Sequence, residues 1–544
     1  MRERLTLWGI VLAAGLLRLA YAMTPRVVRW DEAGHLLVAR NLISGNGYSE
    51  LAGTPDVHLP PLLPLLSAGL LRLGCPPDWA TAAIHILTGA LLCLPVYGLA
   101  QAIYGRRAGW IAACLVAVYP ALAAWPFLWG TMTESPFLLL TFGGVWAVRQ
   151  GLERQRTGWY ALAGALFGLS YLTRPEGLIW LAVLGLFAAL WHLARGSLFR
   201  PATVGRLALA MVACLLVMSP YILYLHQITG HWVLSGKVGL VLDIVPAYLA
   251  HDQALHDLAV ARLDSTGQEI MWFSPERFEK SLADYVLANP RRFLYYVRQN
   301  MAETWRVLFH QDLFSPWVVA LAAVGMFGRP WSRRRWWDEG LLWAALVPLA
   351  SFWAFFVIDR FLVAGLVPGL IWAAAGLEHL AGWARASSAG LARRPASGNR
   401  PGPLATLAPA LPLAAVLAFC LWVTPERLWA DTRAMPWSHV AAGLWLAGEA
   451  APDAVIMTRH TEVGLYANRP SIACPNAEWE QVLAYGRRRG ARYLVVDTWE
   501  LTTLRPQLRA LLDPAQAPPE VESLAVFRDH VTTTLVYRLR GGSG

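Results

Sequence analysis

Val28-Arg29-Trp30-Asp31-Glu32-Ala33-Gly34-His35 is the stretch on which the reading of this chain turns. It follows an apolar segment near Leu5–Met23, at the point where the chain would leave a bilayer. Behind the acidic pair, Ala33, Leu36, Leu37, Ala39, Leu42 and Ile43 recur at near-helical spacing, with His35, Arg40 and Asn41 between them. Ser44-Gly45-Asn46-Gly47 stops the run. The pattern predicts a short helix lying on the membrane and opened by Asp31, where the helix dipole favours an ionised carboxylate. Asp31 then has two readings. It is a helix N-cap with a solvated neighbour, or it is an acid placed where ionisable groups at a membrane mark function.

Composition sets the frame. The chain has 544 residues, of which 56% are hydrophobic and 15% charged, the profile of a polytopic membrane protein rather than a large soluble core. The net charge is +10. Much of the basic excess falls in short loops between apolar spans, so it reads as a topology signal rather than a nucleic-acid patch. Cys93, Cys114, Cys214 and Cys420 lie in apolar spans and no Cys-x-x-Cys spacing occurs, which leaves a Cys75–Cys474 bridge as the one pairing to consider. The 27 tryptophans suit interfacial belts and sugar-stacking walls alike. Arg2, Arg4 and Ala20-Tyr21-Ala22 resemble a signal peptide. Arg18 interrupts the apolar run, however, and the chain behind it is polytopic, so an uncleaved span with its N-terminus inside is expected.

Laying spans of about 20 apolar residues along the chain gives about eleven. The basic turns Tyr104–Arg107, Arg149–Arg156, Arg195–Arg206 and Arg329–Arg335 all fall on one side of that count, with an Arg-, Ser-, Gly- and Pro-rich loop at Ala384–Pro403. Residues 1–423 are thus expected to form a transmembrane domain with long outer loops at 24–79 and 227–312. In the second loop Asn289-Pro290-Arg291-Arg292-Phe293 opens an aromatic amphipathic helix. Residues 424–540 change character: Asp453–Thr458, Ser471–Ala473, Tyr493–Asp497, Val521–Phe527 and Thr532–Leu539 read as strands, with helices at Glu462–Ala467 and Glu478–Arg489. The expected fold is therefore a polytopic α-helical membrane protein with a C-terminal extracytoplasmic α/β domain. Gly541-Gly542-Ser543-Gly544 reads as a cloning remnant.

Three further polar sites fall at outer span ends, on the side of Asp31: Glu134 in Thr133-Glu134-Ser135-Pro136, Arg174 with Glu176, and Asp359 with Arg360. Each alone suits an interfacial anchor or a local ion pair. Together they suit a site for a phosphate leaving group and a hydroxyl nucleophile. Arginine holds phosphate bidentately, and a carboxylate takes the proton of an attacking hydroxyl. His58 and His226 are the candidate ligands should a divalent metal be the cofactor.

The acidic pair after the first span resembles the first outer loop of integral-membrane GT-C glycosyltransferases, in the ArnT-like and protein-mannosyltransferase branch. Arg18, His58-Leu59-Pro60-Pro61-Leu62, Thr133-Glu134-Ser135-Pro136-Phe137, Leu172-Thr173-Arg174-Pro175-Glu176-Gly177, Asn289–Phe293 and Asp359-Arg360-Phe361-Leu362 carry the likeness in order. The resemblance implies transfer of a sugar from a polyprenyl-phosphate donor to a glycan, lipid or protein hydroxyl outside the cytoplasmic membrane, with inversion. It implies Asp31 as general base, with Glu32 or Glu134 orienting acceptor or metal. Arg174, Arg360 and Arg18 would lie on the donor phosphate. His58 and Leu59 stand where the ArnT-like pattern has an acid–lysine pair, so neither metal binding by that acid nor phosphate binding by that lysine carries over. The rival readings are a transporter or lipid-carrier flippase, which would need polar groups near mid-membrane and often repeated halves, and an assembly scaffold that uses the outer domain for binding.

Overall fold

The computed structural model describes residues 2–279, 281–310, 313–392 and 410–540. Helices dominate up to Glu449, and a five-stranded sheet follows. Among the described residues, five helices are long and apolar enough to cross a membrane: Glu3–Ala22, Pro77–Tyr104, Pro201–Thr229, Asp359–Ala386 and Leu411–Arg433. Shorter apolar helices include Gly177–Leu193 and Pro316–Phe327, and the latter packs against the helix Asp359–Ala386. Trp8, Leu216 and Trp422 point outward from this bundle, as lipid-facing side chains of a multi-pass membrane protein do.

Small residues bring the helices together. A Cβ on Gly325 would lie 2.0 Å from the Trp372 carbonyl oxygen, and one on Gly376 would lie 2.0 Å from that of Leu321. The helices Pro316–Phe327 and Leu366–Ala392 therefore meet backbone to backbone, the close approach that glycine permits between apolar helices.

The helix Arg106–Val118 stops two residues short of Pro120, whose missing N–H leaves the carbonyl of Val116 without its helical donor. Arg18 fills the gap. Its Nη2 donates to Val116 and Leu122 and its Nη1 to Ala117 and Ala14, at 3.1–3.3 Å. Arg18 is thus fully buried among backbone carbonyls and lies outside the charge network described below.

The loop at 24–79 holds the helix Trp30–Ile43, and here the structure departs from the amphipathic pattern. Eight consecutive residues, Glu32–Ala39, are buried. The helix does not lie on an open surface, because Leu62–Arg72 packs against one side and Thr461–Ala467 against another. The loop at 227–312 folds into helices, including Val238–Ala250, Gln253–Ala261 and Pro290–His310. The last of these exposes Leu294, Tyr295 and Trp305, as an amphipathic surface helix would.

Where the sequence suggests a loop at Ala384–Pro403, helix continues to Ala392, and the rest lies outside the described residues, as does 541–544. The final apolar helix runs on to Arg433, beyond residue 424. The sheet comprises β1 (Val455–Thr458), β2 (Ser471–Ala473), β3 (Ala491–Asp497), β4 (Val521–Arg528) and β5 (Thr533–Leu539) in the order β2-β1-β3-β5-β4. The first three are mutually parallel and the last two antiparallel. Cys75 and Cys474 are both unpaired.

The α/β domain grips both ends of the Trp30–Ile43 helix. The Val28 N–H donates to the Tyr466 hydroxyl at 3.1 Å. At the other end Arg40 donates to the Gly464 and Arg469 carbonyls at 3.2 and 3.1 Å, at the end of the helix Thr461–Ala467 and just beyond it.

Candidate active site

Trp30 sits in the left-handed region, at φ 54°, directly before Asp31. A bulky residue is held there only when its surroundings impose it, and such residues gather at functional sites. The helix N-cap is Arg29, and it makes no side-chain cap bond. Asp31 therefore lies inside the first turn and is not the cap.

Arg360 Nη2 donates to Asp31 Oδ2 at 2.8 Å, and Arg360 Nε faces Glu134 Oε1 at 3.4 Å. The same Glu134 oxygen accepts from Arg174 Nη1 at 3.3 Å, and Arg174 Nη2 donates to Glu176 at 3.3 Å. Asp31, Arg360, Glu134, Arg174 and Glu176 thus form one chain of alternating charge. It joins four segments that lie far apart in sequence. Phe361 and Phe137 flank the Arg174 guanidinium, with centroids 4.8 and 5.5 Å away. The accessible end is Asp31, whose side chain is 35% exposed, whereas Glu134 is buried and positions both arginines. Arg360 Nη1 faces the Met132 sulfur, a weak acceptor, which leaves donor capacity for an incoming anion.

Glu32 has a different fate from its neighbour. Its side chain is 0% exposed, and Arg26 clasps it bidentately at 2.6 and 2.9 Å. Hydroxyls of Thr81 and Thr131 also donate to it. With its oxygens so engaged, Glu32 holds the loop rather than a substrate.

Burial opposes charge on Asp31, but the positive charges of Arg360 and Lys237 overcome it and hold the carboxyl well below the usual carboxylate range. Lys237 belongs to the loop at 227–312 and was not legible as a site residue. It acts on the same small region as Asp31, His35, Glu50 and His58, and so brings a lysine to a site whose first-loop motif lacks one. Glu50 was also missed. Its carboxylate lies against Gly34, where a Cβ would be 3.0 Å from Oε1. Burial, with the charges of Asp56 and Asp31, raises Glu50 to about 8, against the opposing pull of Lys237. Its setting, Tyr48-Ser49-Glu50-Leu51, has no periodicity or motif that would have marked it.

His58 ties the two long loops together. Its backbone N–H and that of Leu59 donate to Asp56 Oδ1 at 2.9 and 2.8 Å. Its ring stacks on Trp272 with centroids 4.8 Å apart, and its Nε2 contacts Arg277. His226 stacks on Trp232, centroids 4.0 Å apart. The structure does not bring these two histidines into a metal site. Among the described residues, the groups of three or more ligating side chains close enough to share an ion are His439–His460–Glu462 and His460–Asp497–Glu500, all in the C-terminal domain. Among the described residues, no such group lies around Asp31.

The architecture and this site define a class. The fold is the GT-C fold of membrane glycosyltransferases. Residues 58–224 match the family model described as dolichyl-phosphate-mannose-protein mannosyltransferase. Among solved structures, the chain is similar to the oligosaccharyltransferase AglB from Archaeoglobus fulgidus in complex with an inhibitory peptide and a dolichol-phosphate. The TM-score is 0.59 at 15% identity, over 92% of this chain and 70% of that one. It is also similar to ArnT from Cupriavidus metallidurans bound to undecaprenyl phosphate, with TM-score 0.58 at 14% identity over 98% of both chains. The Archaeoglobus fulgidus enzyme in complex with Zn and sulfate matches with TM-score 0.51 at 13% identity, over 90% of this chain and 68% of that one. No curated protein matches the chain by sequence.

Proposed function

We propose that the chain is a glycosyltransferase that moves a sugar from a polyprenyl-phosphate carrier to an acceptor hydroxyl at the outer face of the cytoplasmic membrane. The acceptor oxygen attacks the anomeric carbon and its proton passes to Asp31. The carbon–oxygen bond to phosphate breaks, and the electron pair leaves on the phosphate oxygen. Arg360 takes up the growing negative charge, and Glu134 and Arg174 hold Arg360 in place. One displacement inverts the anomeric centre. The observation that carries this reading is the ion pair of Asp31 with Arg360, which puts a base and an anion-binding fork in one accessible place.

That pair also suggests an order of events. While Arg360 is bonded to Asp31, the carboxylate is a weak base. A donor phosphate that draws Arg360 toward itself lessens that hold and raises the basicity of Asp31 at the moment an acceptor needs it. AglB and ArnT have been solved with dolichol-phosphate and undecaprenyl phosphate, and the same class of carrier is proposed here. The test is release of free polyprenyl phosphate from a labelled sugar donor by the purified protein in the presence of candidate acceptors. Release that stops with Asp31→Asn supports the reading, and movement of the intact donor across vesicles without release favours a flippase.

A further inference from the structure

A second set of buried ionisable side chains lies in the C-terminal domain, away from the proposed transfer site. His460 follows β1, and Asp497 ends β3, its parallel neighbour. Glu500 lies just beyond, and His439 projects from the helix Trp437–Glu449. The cluster therefore sits at the carboxyl ends of adjacent parallel strands, where open α/β sheets place their ligands.

We propose that this cluster is a structural site for a divalent zinc-class ion, held by His460 Nε2, Asp497 Oδ2 and Glu500 Oε2, with His439 Nε2 beside the Asp497 carboxylate. Two buried atoms point to a missing partner. His460 is 6% exposed and Glu500 0%, yet His460 Nε2 and Glu500 Oε2 have no hydrogen-bond partner, and they face each other at 3.6 Å. An unsatisfied buried polar atom is destabilising, and one ion between them would satisfy both. His460 Nε2 lies 3.4 Å from Asp497 Oδ2, and His439 Nε2 lies 3.0 Å from the same oxygen. Zinc bonds of about 2.0–2.1 Å in tetrahedral geometry separate ligand atoms by about 3.4 Å.

The surroundings fit as well. Glu500 Oε1 accepts from Arg505 Nη1 at 2.6 Å, which turns Oε2 toward the cluster. The Glu462 carboxylate lies 2.9 Å from His439 Nδ1 and 4.0 Å from His460 Nδ1. It orients the His439 imidazole and lies close to that of His460, as carboxylates beside the histidines of zinc sites do.

Metal here would join the ends of β1 and β3 to the root of the helix Thr461–Ala467, which covers the Asp31 helix. The proposal does not depend on the transferase reading, and its test needs no sugar donor. The full chain in detergent is stripped with a chelator, desalted and titrated with cobalt(II), then with zinc. One equivalent of cobalt should bind with the intense visible bands of tetrahedral coordination, and zinc should displace it. His460→Ala and Glu500→Gln should each weaken cobalt binding more than about hundredfold, and Glu462→Gln about 10–100-fold. His58→Ala and His226→Ala should leave it unchanged. If His460→Ala does not fold, the isosteric Glu500→Gln and the unaltered protein decide the matter. Failure of the unaltered protein to give tetrahedral cobalt bands would overturn the proposal. So would full cobalt affinity in Glu500→Gln.

Discussion

Asp31 and Glu32 are chain neighbours of like charge, each paired to an arginine, and they belong to different parts of the molecule. Asp31 has one arginine partner and an exposed flank, and it stands at the open end of a charge chain that reaches to Glu176. Glu32 is enclosed by Arg26, Thr81 and Thr131. A carboxylate with all its acceptor capacity used stabilises a loop, whereas one with capacity left over can take a proton from a substrate. The left-handed Trp30 before them and the helix behind them turn the two side chains apart.

That contrast can be broken by substitution. Glu32→Gln leaves the buried Arg26 without its counter-charge, so it should cost about 3–5 kcal/mol of stability. Thermal unfolding in detergent would read this as a lower Tm, and an unchanged Tm would remove the distinction. Asp31→Asn should leave Tm nearly unchanged but slow sugar transfer about a hundredfold or more, with donor binding largely retained. Equal turnover of Asp31→Asn and the native protein would return Asp31 to a structural role. Arg360→Lys keeps the charge and loses the planar fork. It should weaken donor binding about tenfold by equilibrium titration, an order-of-magnitude figure for one charge-assisted bond, and Arg174→Lys, one step further from Asp31, should weaken it less.

A pH dependence is expected from Glu50. In the unfolded chain this acid titrates near 4.5, and in the folded protein burial and nearby acids raise it to about 8. The folded state therefore binds the extra proton between those values, and this contribution to stability is lost as pH rises through that window. Glu50→Gln should flatten the fall of Tm from about pH 5 to about pH 8. A Tm profile of unchanged slope would show that Glu50 titrates normally.

The elements with a clear period were legible. The C-terminal strands and helices fall within a few residues of where alternation and apolar runs place them. Asp31, Glu134, Arg174 and Arg360 were singled out because each follows or precedes an apolar span, and the structure brings all four together. What could not be read depends on contacts distant in sequence. The family resemblance sets Arg18 on the donor phosphate, but its partner is local to the bundle. That partner is the carbonyl row left open by Pro120, about a hundred residues on. Lys237 and Glu50 lie in loops whose sequence carries no period, so only folding shows that they approach Asp31. The amphipathic look of Trp30–Ile43 misled because its polar face meets another domain rather than water.

The grip of the α/β domain on that helix has a consequence for synthesis. Val28 and Tyr466 are 438 residues apart, and so the Asp31 helix leaves the ribosome long before the segment that covers it. Until residues 461–469 emerge, Arg40 has no carbonyls to bind and a flank of the helix stays bare. The Trp30–Ile43 helix is thus covered late in translation, once residues 461–469 have emerged.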